Sequence, residues 1–231
     1  MTVKATDSLS EQIAKSIAEQ IISGELVEGE RIQELRIAKE LDVSRGSVRE
    51  ALLLLERTHL IEIYPRRGAI VAEMSPQQVR ALFDTSCLLL GQVVQQISQG
   101  WRGTDAQILQ QLLVYLQEQV KHGHTEKFYD QIFEYLMEQQ GLVVNLYLMK
   151  FLNELLPSLR RSYFLTLNTS RRELQESFEL FKLVIDAILN RNSQQATLFM
   201  EDFCRHLRNL VLESLTRMKQ IELAWARRSH R

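Results

Sequence analysis

The sequence predicts a mainly α-helical protein in two parts. Residues 1–74 form a small unit of three helices and one β-hairpin, and residues 75–231 form a larger all-α antiparallel helical bundle. Three observations predict it. The stretch Val43-Ser44-Arg45-Gly46-Ser47-Val48-Arg49-Glu50-Ala51-Leu52 continues so that Val48, Ala51, Leu52 and Leu55 fall at i, i+3, i+4 and i+7, the stripe a helix packs on a core. Leu60-Ile61-Glu62-Ile63-Tyr64 alternates apolar and polar side chains, turns at Pro65-Arg66-Arg67-Gly68 and returns as Ala69-Ile70-Val71-Ala72. Beyond Ser75 the apolar residues repeat only at helical spacing.

Taken in order, Ser8-x-x-Glu11 is a capping box that starts a first helix, with Leu9, Ile13, Ile17 and Ile21 recurring until Gly24 ends it. Ile32, Leu35, Ile37, Ala38 and Leu41 make a shorter second helix. Asp42-Val43-Ser44 is a tight turn, with Ser44 as N-cap of the third. Ser75-Pro76 opens the second part as cap and first helical residue. Helical patterns then follow through Val79, Leu82, Phe83, Cys87 and Leu90 and over 104–120, 126–139, 143–167, 170–189 and from 193 past 219, about six helices in all. Gly100-Trp101-Arg102-Gly103, His122-Gly123-His124 and Asn190-Arg191-Asn192-Ser193 are loops or helix ends.

The chain of 231 residues has a formal net charge of −1, and its first 75 residues hold more acidic than basic side chains, so a globally basic nucleic-acid coat is excluded. A local basic patch remains, with Arg45, Arg49, Arg57, Arg66 and Arg67 set against Glu50, Glu56 and Glu62. Arg45 and Arg49 stand one turn apart on the third helix, and the small Gly46 and Ser47 leave room for a phosphate or a base edge. Helix, short turn, helix with arginines at the start of the second is the helix-turn-helix arrangement that enters the major groove of DNA. The hairpin after it is a wing whose Arg66 and Arg67 can reach the adjacent minor groove. Double-stranded operator DNA is therefore the expected partner.

Residues 9–74 carry Ile32-x-Glu34-x-x-Ile37-Ala38, then Val43-Ser44-Arg45-Gly46-Ser47-Val48-Arg49-Glu50-Ala51-Leu52-x-x-Leu55, then Tyr64-Pro65-Arg66-Arg67-Gly68-Ala69. This segment closely resembles the winged helix-turn-helix of GntR-family bacterial transcription regulators. The resemblance implies that Ser44, Arg45, Gly46, Ser47 and Arg49 face the operator, and that Arg66, Arg67 and Gly68 form the wing contact. Two departures bear on the operator sequence: Gly46-Ser47 stands where Thr-Pro or Thr-Thr is usual, and an arginine common in the second helix is Leu35 here, with Arg36 beside it.

A helical bundle behind such a winged helix resembles the FadR branch of the family, with its FCD-type domain. That implies a homodimer, a small acidic effector bound in the helical half and an operator affinity modulated by it, repression being the family's commoner habit. Many members hold a divalent metal through Asp-x-x-Phe-His and two later histidines. Here Asp130-x-x-Phe133 is followed by Glu134, and the two later positions are Phe181 and Phe203, whose rings cannot coordinate a metal; neither metal nor cofactor is expected, although an Asp130 and Glu134 pair is a candidate for weak cation binding. Phe181 and Phe203 make the vacated space more apolar than a citrate or gluconate site should be, and favour a fatty or aromatic acyl ligand. The branch's namesake binds long-chain acyl-CoA, and Leu159-Arg160-Arg161-Ser162-Tyr163-Phe164 is similar to a stretch of it. By that resemblance Tyr163 would hydrogen-bond a thioester or carboxylate and Arg160 or Arg161 would pair with an anion. Large aromatics at helical spacing are more often those of a plain packed core, and a packed domain with no effector is the third reading.

An acyl-compound-binding protein or enzyme, its winged helix serving protein interaction, is the alternative. No nucleophile elbow, phosphate loop, metal triad or Cys/His pair supports it, and no catalytic residue is assigned. Cys87 and Cys204 lie in apolar helical patterns, which reads as buried thiols in a reducing compartment. No signal peptide or bilayer-length apolar run is present, so a soluble cytoplasmic protein is expected. His206 reads as a surface residue. Trp225-Ala226-Arg227-Arg228-Ser229-His230-Arg231 reads as a frayed basic tail, or a non-specific DNA contact.

Overall fold

The computed structural model describes residues 7–167 and 170–229, and the chain divides into two compact units, residues 1–74 with 154–161, and residues 75–153 with 162–231. His230 and Arg231 of the basic C-terminal stretch, and the side chains from 222 onward, lie outside the described residues.

In the first unit, α1 (Leu9–Ile22) begins at the Ser8/Glu11 capping box, α2 is Glu34–Glu40 and α3 is Arg45–Glu56. Strands β1 (Ile61–Tyr64) and β2 (Gly68–Val71) pair antiparallel, from Ile61 opposite Val71 to Tyr64 opposite Gly68. Ile13, Ile17 and Ile21 of α1, Val48, Ala51, Leu52 and Leu55 of α3, and Ile61, Ala69 and Val71 of the hairpin share one core. Burying a side chain of this size stabilises the fold by roughly 1.5–3 kcal/mol, before conformational entropy is charged against it. The segment 154–161 of α7 (Leu146–Phe164) belongs to the same unit: Ser158 donates to the Thr58 carbonyl at 2.8 Å, and Arg160 pairs with Glu19 at 2.6 Å.

Three details differ from the sequence reading. Leu9 is half exposed, because the chain has only just entered α1 and its side chain precedes the core stripe. Ile32 is buried but precedes α2, where its N–H donates to the Ala69 carbonyl, while the Gly29 N–H donates to the Val71 carbonyl and the Val71 N–H to the Glu30 carbonyl. Residues 29–32 thus run alongside β2 through an isolated bridge between Arg31 and Ile70. Leu35 and Leu41 are exposed, so α2 buries only Ile37 and Ala38. A helix of 7 residues, about two turns, cannot place five apolar residues on one face.

The second unit contains α4 (Pro76–Gly100), α5 (Thr104–His122), α6 (Thr125–Glu138), most of α7, α8 (Arg171–Leu189) and α9 (Ser193–Ser229). Among the described residues the only sheet is the wing hairpin. Ser75 caps α4 with Gln78 completing the box and Pro76 in the first turn, and Gly123, in the left-handed region at φ 72°, closes α5. Helix α4 packs on α9 and α8, and α5 on α8 and α6. The corner after α4 is pinned by Trp101, whose indole N–H donates to the Ile188 carbonyl at 2.8 Å while the Arg191 guanidinium lies 4.3 Å over the ring. Among the described residues no helix is long and apolar enough to cross a membrane.

Candidate nucleic-acid interface and helical-unit core

Helix α3 can present its first turn because Ser44 stops the chain from being helical before it. The Ser44 hydroxyl accepts from the Ser47 N–H at 3.0 Å and meets the Ser47 hydroxyl at 2.9 Å, which caps the helix and fixes both small side chains. Asp42, at φ 52°, makes the left-handed turn that brings α2 back across α3. Arg45, Gly46 and Arg49 are exposed, and Val48 beneath them is fully buried.

Neither arginine is idle. Arg49 Nε donates to Oε2 of Glu34 at 2.9 Å, and Arg45 Nη2 lies 3.6 Å from the same oxygen. Glu34 is the residue that the sequence reading passed over, because it sits on α2 and reaches α3 only through the fold. Glu50, the carboxylate closer in sequence, accepts from Ser10 instead, while Glu56 accepts from the Ile63 N–H and Glu62 from the Tyr64 hydroxyl. All three acidic residues of the predicted patch thus have hydrogen-bond partners other than Arg45 and Arg49. Arg36 pairs along its own helix with Glu40 at 3.0 Å.

At the wing tip Arg66 takes φ 66° and Gly68 φ 80°, both left-handed, and these turn the hairpin so tightly that Tyr64 and Gly68 face each other. Arg66 and Arg67 are exposed there. An open cleft of about 620 Å³ runs between α2, α3 and the wing, and Arg31, Arg45, Arg49 and Arg66 line it with Glu34 and Gly68. Arg31 is a second residue missed from sequence; a Cβ at Gly68 would lie 3.8 Å from its guanidinium, so the wing's glycine and this arginine are neighbours. Four guanidiniums and one carboxylate make the cleft's electrostatic character cationic, suited to a phosphate backbone.

In the second unit Phe181 and Phe203, which stand where the family resemblance expects histidines, meet. Phe181 and Phe203 are fully buried with ring centroids 5.3 Å apart. Tyr129 lies 6.4 Å from Phe203 and 5.3 Å from Tyr163, which stacks on Phe133 at 5.3 Å. Two polar links run through these rings. The Tyr163 hydroxyl donates to Asp130. The Tyr129 hydroxyl meets Ser177 Oγ at 2.9 Å, and His206 Nε2 meets the same oxygen at 2.9 Å. Ser177 has one proton to give; given to the Glu173 carbonyl at 3.0 Å, it leaves Ser177 accepting from both neighbours. Burial drives the Tyr129 hydroxyl far above its ordinary pKa, so it stays protonated.

His206 thus turns inward, against the surface position expected of it. Glu134 is exposed, and among the described residues no three His, Cys, Asp or Glu side chains gather as metal ligands. Arg160 and Arg161, expected to pair with an effector anion, have protein partners within the first unit: Glu19 for Arg160, and the Ala72 carbonyl at 2.7 Å with Glu28 at 3.8 Å for Arg161. Burial lowers the Arg161 pKa, partly offset by Glu28.

Residues 9–71 match the family described as "Bacterial regulatory proteins, gntR family", and residues 81–209 match the FCD domain. The gluconate operon transcriptional repressor of Bacillus licheniformis is 23% identical over 178 residues, 76% of this chain and 70% of that one. Its namesake in Bacillus subtilis is 25% identical over 175 residues, with the same coverage. The transcriptional repressor RspR of Escherichia coli is 33% identical over 75 residues, 32% of this chain and 33% of that one. Among solved structures, E. coli McbR/YncC superposes with a TM-score of 0.77 at 20% identity, covering 91% of this chain and all of that one (100%). A GntR regulator from Rhodococcus sp. RHA1 gives 0.70 at 17% identity, covering 90% and 99%. With one match covering the winged unit and the other most of the helical unit, the chain belongs to the GntR family of bacterial regulatory proteins, in the branch whose helical half is an FCD domain.

Proposed function

We propose that this transcriptional regulator binds a near-palindromic operator as a homodimer, each α3 entering a major groove through Ser44, Arg45, Gly46, Ser47 and Arg49. The observation that carries this reading is the cationic cleft lined by Arg45 and Arg49 of the recognition helix, Arg66 of the wing, and Arg31 beside the wing's Gly68. A phosphate strand lying there would be held from both sides while the helix reads base edges. Relatives named as repressors support repression as the direction of control.

For the helical unit we read an acyl effector, its chain among Phe133, Phe181 and Phe203 and its polar head at Tyr163 and Asp130. Supporting this are the apolar rings at the two positions where the resemblance expects histidines and the polar links threaded between them. Gluconate, in the names of two relatives, is a poor candidate for so apolar a site. The ring-to-ring contacts favour a second reading, a packed core that takes no ligand. A hydrolase reading of Ser177 and His206 is disfavoured by the complete burial of Ser177.

A gel shift over a salt series on the chain's own upstream DNA tests the first reading; binding that does not weaken with salt refutes it. Native mass spectrometry of gently purified protein, followed by thermal shift with saturated fatty acids and their CoA thioesters, tests the second. A co-purified acyl mass or a chain-length-dependent shift supports the effector, and a bare dimer unmoved by either series supports the packed core.

A further inference from the structure

The chain has only two cysteines, and they come from opposite ends of the sequence of the second unit: Cys87 on α4 and Cys204 on α9. The register between these antiparallel helices brings them together. Arg208 pairs with Asp84 at 2.6 Å on one side, and on the other Thr197 Oγ1 donates to the Gly91 carbonyl at 3.3 Å. Between those two ties, Cys87 and Cys204 fall opposite each other on the facing helices and line the same cleft. The helices are close here: a Cβ at Gly91 would meet Thr197 Cγ2 at 3.2 Å. Both cysteines line an open cleft of about 320 Å³ together with Asp84, Glu201, Arg205 and Arg208. Cys204 is buried and Cys87 is half-buried at the cleft, so Cys87 is the more accessible of the two thiols.

We propose that Cys87 and Cys204 form a peroxide-responsive dithiol site, in which a hydroperoxide converts the pair to an intramolecular disulfide bridging α4 and α9. Cys87 is the attacking thiol. The hydrogen bond from Cys204 holds it below the ordinary thiol pKa, against the opposing effects of burial and Glu201, and Arg205 and Arg208 add to the lowering. Cys204, pushed well up by donating that hydrogen bond and by burial, keeps its proton until the second step.

The Cys87 thiolate attacks a peroxide oxygen, the O–O bond breaks, the alkoxide leaves and takes up the proton that Cys87 released, and Cys87 becomes a sulfenic acid. The Cys204 sulfur then attacks the Cys87 sulfur. The S–S bond forms, the S–O bond breaks, and hydroxide leaves as water with the Cys204 proton. Two thiols are oxidised by two electrons, and the hydroperoxide is reduced to an alcohol and water.

The test uses the full-length protein, reduced, desalted and exposed to hydrogen peroxide or cumene hydroperoxide. After denaturation in N-ethylmaleimide, intact mass and peptide mapping count free thiols. The expected result is loss of both maleimide adducts, a Cys87–Cys204 peptide pair lighter by two hydrogens, and recovery of both adducts after dithiothreitol. Cys204→Ala should leave a dimedone-trapped sulfenic acid on Cys87, and Cys87→Ala should leave Cys204 free to react with maleimide after peroxide. Two free thiols after treatment, a disulfide between two copies on a non-reducing gel, or sulfinic acid on Cys87 without a cross-link would each overturn the proposal. The wild-type result decides the matter even if a variant fails to fold.

Discussion

Glu34 on α2 holds both recognition arginines of α3 with one oxygen, 2.9 Å from Arg49 Nε and 3.6 Å from Arg45 Nη2. The carboxylate holds the two guanidiniums over the first turn of the helix, and in the docking proposed above it would compete with DNA phosphates for the same donors. Both arginines are more than half exposed, so each pair contributes little to folding stability, at most about 1 kcal/mol. The effect on binding is the larger one.

Replacing Glu34→Gln removes that competition and one negative charge from the cleft. Affinity for non-specific duplex should rise by roughly 3- to 10-fold at low salt, with a smaller gain on the operator, since base readout still needs the same arginine geometry. Fluorescence anisotropy over a salt series measures both. Equal or weaker non-specific binding would show that Glu34 serves to orient the arginines and does not compete with phosphate.

Arg45→Ala and Arg49→Ala should each cost roughly 1–3 kcal/mol on the operator if the arginine makes a bidentate contact to guanine, and should relax specificity at one position of the site. Arg31→Ala and Arg66→Ala, from the opposite wall of the cleft, should weaken all duplexes alike and lower the salt slope by about 1 each. Binding-site selection with each variant separates the two patterns. Loss of specificity from Arg66→Ala, or none from the α3 variants, would reverse the docking.

The contrast between Arg45 and Arg31 shows what could be read before folding. Arg45 announces itself through its neighbours in sequence, a capping serine, two small residues and a core stripe, all of which are local facts of one helix. Arg31 matters because residues 29–32 hydrogen-bond to β2, a pairing between segments that carry no repeat or turn signal linking them. Glu34 and His206 escaped for the same reason: each is an ordinary polar residue on an amphipathic helix until tertiary packing chooses its partner. The six helices of the second unit were legible because their apolar stripes are long and their ends are marked by Ser75, Gly123 and Ser170. The apolar pattern of α2 misled because seven residues are too few to average out.

Phe181 and Phe203 should behave as core whatever else they do. Truncating either one, Phe181→Ala or Phe203→Ala, removes a fully buried ring from contact with another and should cost about 3–5 kcal/mol in urea unfolding. Phe→Leu at the same sites keeps most of the volume and should cost much less. If the site also receives an acyl chain, the alanine variants will regain stability on adding the ligand, because the chain fills the cavity they leave. A cost under about 1 kcal/mol for either alanine would mean that the rings line an open space and do not pack against each other.

Glu173 offers a pH test of the α8 start. Its carboxylate accepts from the Ser170 backbone N–H at 2.6 Å and interacts with the Ser170 hydroxyl, and Arg217 stands 4.0 Å away. These hold its carboxyl below the usual carboxylate range, the Ser170 backbone bond most of all. A pKa depressed on folding stabilises the native state above the unfolded value, and that contribution is lost as pH falls through the folded value. Glu173→Gln keeps the capping geometry but removes the charge from the positive end of the helix dipole, and should cost about 0.5–1 kcal/mol at neutral pH. The gap between variant and wild type should be constant from pH 8 down to about 5 and close as pH drops through and below the ordinary glutamate pKa, roughly 4.3. Urea unfolding at stepped pH measures it. A gap that stays constant into acid would show that shape, and not charge, sets the contribution of this cap.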